Sequence, residues 1–283
     1  MTGAEPAGTL RAGNRLRFRY SKLGKVRFTS HRDVVRMWER GLRRSGLAVA
    51  WSEGFSPHLL MSFGLALPTG AESLAEYLDV VLAHPIPGDP VSADPVSAEP
   101  ISDDFSHGAL AGLPQALSSL LPHGVDVVAV GTLRDGAGSL QEEVSSCTWK
   151  LEVVGVSAAE LASRVERLLA APSVPIERVR KGRAVRDDLR PAVLALSVGV
   201  SPDDRLPAAT SLGDGVWLDV ELATQPRGVR PRELLEGLGP EVRLSQARRM
   251  HQWIERDGAR CEPLVCRGDD AGADATPAPR RAS

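Results

Sequence analysis

The sequence predicts an α+β fold made of two tandem ferredoxin-like units, each a split βαβ arrangement on an antiparallel sheet. Three observations carry that expectation. A strand, helix, strand, strand, helix, strand order reads over residues 14–133 and again over 146–256. The strands alternate apolar and polar residues, as antiparallel sheets with one solvated face do. A polar, Gly-containing linker at 134–145 separates the two runs.

Taken in order, residues 1–13 have no apolar periodicity and read as a disordered arm. From Arg15 to Tyr20 the chain alternates strictly, with Leu16, Phe18 and Tyr20 on one face and Arg15, Arg17 and Arg19 on the other. That is a strand whose inner face is apolar and whose open face is basic. Ser30 with Asp33 forms a capping box in which Asp replaces the usual Glu or Gln, and Gly46 supplies the stop. Between these signals Val34, Trp38 and Leu42 make an apolar stripe, while Arg32, Arg36, Arg40 and Arg43 make a second, basic line.

Short strands are expected at 47–52, 61–67 and 77–82, with Ser52 to His58 as a loop rich in turn residues. In the middle strand Met61, Phe63, Leu65 and Leu67 alternate with Ser62, Gly64 and Ala66. One of its faces is therefore nearly bare, which suits the close approach of a helix, a ligand or another backbone. Residues 89–104 contain a degenerate DPVSA repeat, rich in Pro and acid, and read as a disordered insertion. A helix over 109–121 has to start late or kink at Pro114, and a strand follows at 124–133.

The second unit opens on a strand alternating Cys147, Trp149, Leu151 and Val153 with polar residues. Ser157 and Glu160 cap the next helix, whose apolar stripe is Leu161, Val165 and Leu168. Strands follow at 174–180, 193–200 and 215–222. Pro231 and Gly239 bracket a short helix, a last strand covers 242–249, and 268–283 read as a disordered tail.

Composition narrows the function. The 283 residues are 42% hydrophobic, enough for buried cores, and no apolar run is long enough to span a bilayer. With no signal-peptide core at the N-terminus, a cytoplasmic chain without membrane contact is expected. Net charge is −2, yet residues 11–50 hold twelve Lys/Arg against two Asp/Glu, and residues 45–133 hold ten Asp/Glu and no Lys or Arg. Such asymmetry speaks to partners, or to two runs that neutralise one another. No nucleotide-binding glycine motif is present. Cys261 and Cys266 with His251 have weak spacing for zinc, and no metal or other cofactor is expected.

The runs VRFTSHRDVVRMWERGLRRSGL, VAWSEGFSPH, SFGLALPTGAES and EYLDV resemble the radical-SAM-linked family of unknown function, densely over residues 14–82 and more weakly at Lys181 to Val193. That domain is fused to, or encoded beside, cobalamin-binding radical SAM proteins. The family's loop continues after SPH with Pro and a basic residue, where this chain has Leu59 and Leu60. The resemblance implies a radical SAM protein as a separate partner, because this chain lacks the cysteine motif that holds an iron-sulfur cluster.

The reading that follows is a non-catalytic accessory or recognition protein for structured RNA, transfer or ribosomal. Arg15, Arg17, Arg19, Arg32, Arg36, Arg40, Arg43, Lys181 and Arg183 are its expected contacts, with Arg178, Arg180, Arg186 and Arg190 nearby in sequence. Aromatic residues are only 4% of the chain, so contacts to phosphate and shape are expected over base stacking. An alternative uses His31 and His58 as an acid/base pair in a metal-independent endoribonuclease, by analogy with CRISPR repeat-processing enzymes that share tandem ferredoxin-like folds. Another is a protein-protein adaptor. Glu76 and Asp79 stand three apart in a strand, so they face opposite ways and make no acid/base pair.

Overall fold

The computed structural model describes residues 15–84, 110–133, 137–180, 182–200, 215–256 and 258–264. The expected disordered segments at 1–13, 89–104 and 268–283 lie outside the described residues, as does Lys181.

The first half runs β1 (Arg15–Lys22), α1 (His31–Ser45), β2 (Met61–Phe63), β3 (Glu72–Val81), α2 (Leu113–Leu120) and β4 (Val125–Thr132). A short helix, α3 (Leu140–Glu143), leads into β5 (Val144–Val154). The chain continues through α4 (Ala158–Ala170), β6 (Pro175–Arg180), β7 (Arg183–Asp188), β8 (Val193–Gly199), β9 (Val216–Ala223), α5 (Pro231–Leu238), β10 (Arg243–Arg256) and β11 (Ala259–Cys261). The protein is α+β.

Nine strands form one sheet in the order β4-β1-β3-β10-β5-β9-β8, with β2 beside β3 and β11 beside β10; β6 and β7 pair separately as a ribbon. Every pairing is antiparallel except β3 with β10, which are parallel over only two register positions, Arg248 with Glu72 and Arg249 with Ser73. The two halves therefore share one sheet. Very few backbone hydrogen bonds join them.

Local sequence explains the elements that form as expected. Ser30 caps α1, its hydroxyl accepting from the Asp33 N–H at 3.2 Å, and Gly46 ends it in the left-handed conformation at φ 75°, which a side chain disfavours. Val34, Trp38 and Leu42 are buried against Leu16, Phe18 and Tyr20, as the two apolar stripes require. The Trp38 ring meets Phe18 at 5.8 Å and Tyr20 at 5.0 Å between centroids. Burying a side chain of this size stabilises by roughly 1.5–3 kcal/mol. Pro114 sits in the first turn of α2, where its missing N–H costs nothing. Ser157 and Glu160 form the second capping box.

Other elements differ. The strand expected at 47–52 is reduced to isolated bridges, Val49 with Leu82 and Trp51 with Leu59. The strand expected at 61–67 stops at Phe63, because the carbonyls of Leu65 and Ala66 turn to accept from the Arg249 guanidinium, both at 3.0 Å. Gly64 donates to the Tyr77 carbonyl, and a Cβ there would lie 3.3 Å from Leu140, so its bare face lets α3 approach. The strand expected at 242–249 continues to Arg256.

The basic face of β1 is the main correction. Arg15, Arg17 and Arg19 do not line an open surface: Arg17 is 1% exposed, and Arg15 and Arg19 are mostly covered. The sheet brings Asp79 opposite Arg17, and the segment from β11 to Leu264 adds Glu262 and the Pro263 carbonyl. Part of the charge asymmetry is thereby neutralised inside the protein. Arg15 and Arg17 pair with Asp79, and Arg27 pairs with Glu72.

Candidate nucleic-acid interface

The face of α1 opposite its buried stripe carries Arg32, Arg36, Arg40, Arg43 and Arg44, all exposed. At 1.5 Å per residue, Arg32 and Arg43 stand roughly 16 Å apart along the axis. Arg36 lies 3.7 Å from Asp33, a contact in solvent, while among the described residues no carboxylate comes within 4 Å of the Arg32, Arg40, Arg43 or Arg44 guanidinium. Asp33 and Glu39 are the acids of this helix, and both line a shallow groove along it together with Arg36, Met37, Arg40 and Arg43.

Aromatic rings sit at both ends of this line. The Arg27 guanidinium lies 4.7 Å from the centroid of Phe28, just before α1, and that of Arg43 lies 4.9 Å from Trp51, just beyond it. Phe28, Trp51 and Phe55 are the exposed large aromatics among the described residues. Sequence reasoning passed over them by treating aromatic content as an average. The signal was local: Phe55 stands between Gly54 and Ser56-Pro57, residues of a tight loop where a ring has no core to enter.

The remaining expected residues scatter. His31 is exposed and packs edge-on against Phe63, centroids 5.1 Å apart. His58 is also exposed; its Nδ1 hydrogen-bonds the Ser52 hydroxyl at 2.8 Å. Among the described residues no contact joins the two imidazoles. Arg183 and Arg186 are exposed on the β6–β7 ribbon, whereas Arg178 is held by Glu233 and Asp187, and Arg190 by the carbonyls of Leu169 and Val193.

A second polar cluster is internal. Tyr20, Lys22, His31, Phe63 to Leu67 and Glu76 line a cavity of about 30 Å³ between α1 and β3, room for roughly one water. The Lys22 ammonium donates to the Thr29 carbonyl at 3.2 Å, and burial holds its pKa below the ordinary lysine value despite the Glu76 carboxylate nearby. Burial likewise raises Tyr20 well above the usual phenol. Glu76 and Asp79 do face opposite ways: Glu76 binds Arg249 at 2.9 Å and Asp79 binds Arg17 at 2.7 Å. Both carboxylates are committed to ion pairs. Among the described residues no group of three or more His, Cys, Asp or Glu could hold a metal. His251 is turned to Glu262, and Cys266 lies outside the described residues.

Comparison with known proteins adds a family. A family profile matches residues 15–98 and 107–231, well over half of the chain, and is described as "Uncharacterized protein conserved in bacteria (DUF2344)". The chain belongs to DUF2344. That match covers both the α1 surface and the β6–β7 ribbon, and nothing in it ties DUF2344 to radical SAM proteins. No curated protein matches this DUF2344 chain. Among solved structures it is similar to a chain titled "Crystal Structure of a Cbf5-Nop10-Gar1 Complex", at 11% identity and a TM-score of 0.41, covering 85% of this chain and 49% of that one. The DUF2344 chain thus spans about half the length of that structural relative. No helix of the described residues is long and apolar enough to cross a membrane.

Proposed function

We propose that this DUF2344 chain is a non-catalytic recognition protein that binds structured RNA, transfer or ribosomal, through the outer face of α1, in the service of a separate radical SAM protein. The observation that carries the RNA reading is the line Arg32, Arg36, Arg40 and Arg43, exposed and almost free of carboxylate partners. Guanidinium groups along one edge suit phosphates, which accept their paired N–H donors. The radical SAM partner rests on the resemblance of residues 14–82 alone. Arg15, Arg17 and Arg19 drop out of the ligand surface, since their charges are spent on Asp79 and Glu262.

We also read the chain as a pair of ferredoxin-like units. Supporting that reading, β1, β2, β3 and β4 lie in the order β4-β1-β3-β2, and β5, β8, β9 and β10 lie in the matching order β10-β5-β9-β8, each with two intervening helices. The β6–β7 ribbon is then an insertion in the second unit.

The test is a polarisation titration of transfer RNA over a salt series, with wild type beside an Arg32/Arg36/Arg40→Ala variant. Four phosphate contacts give a log K against log salt slope of roughly −3 to −4 in wild type, and the variant, with three of the four removed, loses roughly two to three units of it. A wild type that binds no RNA near physiological salt, or a variant with an unchanged slope, overturns the RNA reading and favours a protein partner. RNA cleaved by the chain, with cleavage lost in His31→Ala or His58→Ala, replaces it with the nuclease.

A further inference from the structure

We propose that the loop from Trp51 to Leu59 is a stacking site for an unpaired RNA base. The chain's ligand is then an RNA with a loop, bulge or single-stranded end, and a plain duplex lacks the feature it reads. This rests on the RNA reading of α1 given above and goes further by naming the kind of RNA.

The loop is built to hold its rings out of the protein. The Trp51 to Leu59 bridge closes its base, the Ser52 N–H donates to the His58 carbonyl at 2.8 Å, and the His58 N–H donates to the Ser52 hydroxyl at 3.0 Å. The Ser52 hydroxyl also bonds His58 Nδ1, so His58 acts as a brace for the loop. Above that base Gly54 turns at φ 113°, and Phe55 stands fully in solvent, with no part of its ring covered. An uncovered phenyl ring carries the full cost of apolar hydration, roughly the burial term it forgoes. Leu59, four residues further on, is buried at 4% exposure, so the same loop reaches the core with Leu59 and leaves Phe55 outside it.

Its neighbours define the occupant. Trp51 is 47% exposed, and the Arg43 guanidinium lies over its ring at 4.9 Å. Arg43 is also the last member of the α1 line, so the phosphate track ends on the aromatic pair. Phe55 is four residue steps beyond Trp51, at most roughly 14 Å of chain. A nucleic-acid strand whose phosphates follow Arg32 to Arg43 therefore delivers its next nucleotide to this loop. Aromatic faces accept any base but cannot reach one that is paired and stacked in an A-form duplex; unstacked bases of loops and ends are what such rings take. An acidic protein would meet the same arginines, but it has no planar group in the register of every backbone unit to lay against an exposed ring.

The experiment uses the full chain and two labelled RNAs of equal length and charge, a hairpin with an unpaired loop and a blunt duplex. Polarisation titrations are run for wild type, Phe55→Ala, Phe55→Leu, Trp51→Phe and Arg36/Arg40→Ala. Wild type is expected to bind the hairpin at least about tenfold tighter than the duplex, as one stacked base provides. Phe55→Ala and Phe55→Leu lose that preference with the salt slope and duplex affinity unchanged, Trp51→Phe keeps most of it, and Arg36/Arg40→Ala weakens both RNAs alike. Equal binding of hairpin and duplex by wild type, or a preference intact in Phe55→Ala, overturns the stacking site and leaves the phosphate track standing. Failure of wild type to bind either RNA at low salt overturns the RNA reading, and the stacking site with it.

Discussion

Arg17 and Asp79 occupy facing positions on β1 and β3, and the guanidinium grips the carboxylate with two prongs, Nε to Oδ1 at 2.7 Å and Nη2 to Oδ2 at 2.8 Å. Arg17 is 1% exposed and Asp79 is 4% exposed. The Pro263 carbonyl accepts from the same guanidinium at 3.4 Å, and the Glu143 carboxylate lies 3.6 Å away, an ion-pair contact without a hydrogen bond. A charge taken this far from water is tolerated only while its partner is present.

Removing that partner should therefore be severe. Asp79→Ala is expected to cost about 3–5 kcal/mol in urea denaturation, because Arg17 is left buried without its hydrogen-bonded carboxylate and with only the looser Glu143 contact. Replacing both, as Arg17→Met with Asp79→Leu, should recover most of the loss. A cost below about 1 kcal/mol for Asp79→Ala would show that water reaches Arg17 and that the face is open after all.

Why the sequence misplaced these arginines is plain from the geometry. Alternation in β1 separates Arg15, Arg17 and Arg19 from Leu16, Phe18 and Tyr20, and that part is local. What covers the second face is not local: Asp79 comes from 62 residues away and the Pro263 carbonyl from 246. The same distinction runs through the molecule. Both serine-capped helices, with their caps and stripes, were legible because hydrogen bonds within four residues fix them. The parallel step from β3 to β10, the turning of Leu65 and Ala66 toward Arg249, and the continuation of β10 along β5 to Ile254 all depend on partners more than a hundred residues off. Of the candidate site, the α1 arginines are legible in the helical spacing, whereas the exposure of Trp51 and Phe55 depends on how the 51–59 loop closes.

Ser30 gives a prediction at the other end of the burial scale. Its hydroxyl donates to the Asp33 carboxylate and accepts from the Asp33 N–H, and the first of these holds the Asp33 pKa below the ordinary Asp value, helped by the Ser30 backbone N–H, Arg36 and Arg32. A carboxyl whose folded pKa is depressed contributes stability that is present above its unfolded pKa and lost as pH falls through the folded one. Ser30→Ala is expected to cost about 1 kcal/mol near neutral pH. That penalty should shrink as pH is lowered below about 3.9, where Asp33 is protonated in the unfolded chain and then in the folded one. Paired urea titrations of wild type and variant at several pH values read it; a penalty independent of pH would separate the serine from the carboxylate.

Cys147 carries the opposite sign. It sits on β5 at 3% exposure, and burial pushes its thiol up to about 11, with Arg249 opposing and Glu76 and Glu221 adding. A raised folded pKa means stability that is whole below the unfolded thiol value of about 8.5 and is lost as pH rises through the folded one. The difference in unfolding free energy between wild type and Cys147→Ala should thus drift against wild type from about pH 8.5 upward. The native thiol should also resist alkylation at pH 8 and react once urea unfolds the chain. Rapid labelling of Cys147 in the native protein would contradict its burial.

The last prediction concerns the seam between the halves. Strands β3 and β10 share only two register positions, so the join depends on side chains that cross it. Glu72, at 1% exposure, accepts from Arg248 at 2.7 Å, from Gln246 at 3.0 Å and from Arg27 at 3.2 Å. Glu76 accepts from Arg249 at 2.9 Å, and the Gln252 amide donates to the Ala75 carbonyl at 2.6 Å. Of the two apolar clusters, the one around Trp38 lies wholly in the first half, while the one around Trp149 reaches across the seam only to Ala71, Ala75 and Tyr77 and their partly buried neighbours Leu65 and Leu67. If the polar crossing is what couples them, Glu72→Ala should do more than destabilise by about 3–5 kcal/mol. It should split a single unfolding transition into two, because each cluster can then open without the other. Hydrogen exchange is the measurement, comparing amides of β1 and β4 with those of β5 and β9 in wild type and variant. Amides of the two groups that exchange with one common free energy in Glu72→Ala would show that the apolar contacts, and not the ion pairs, hold the halves together.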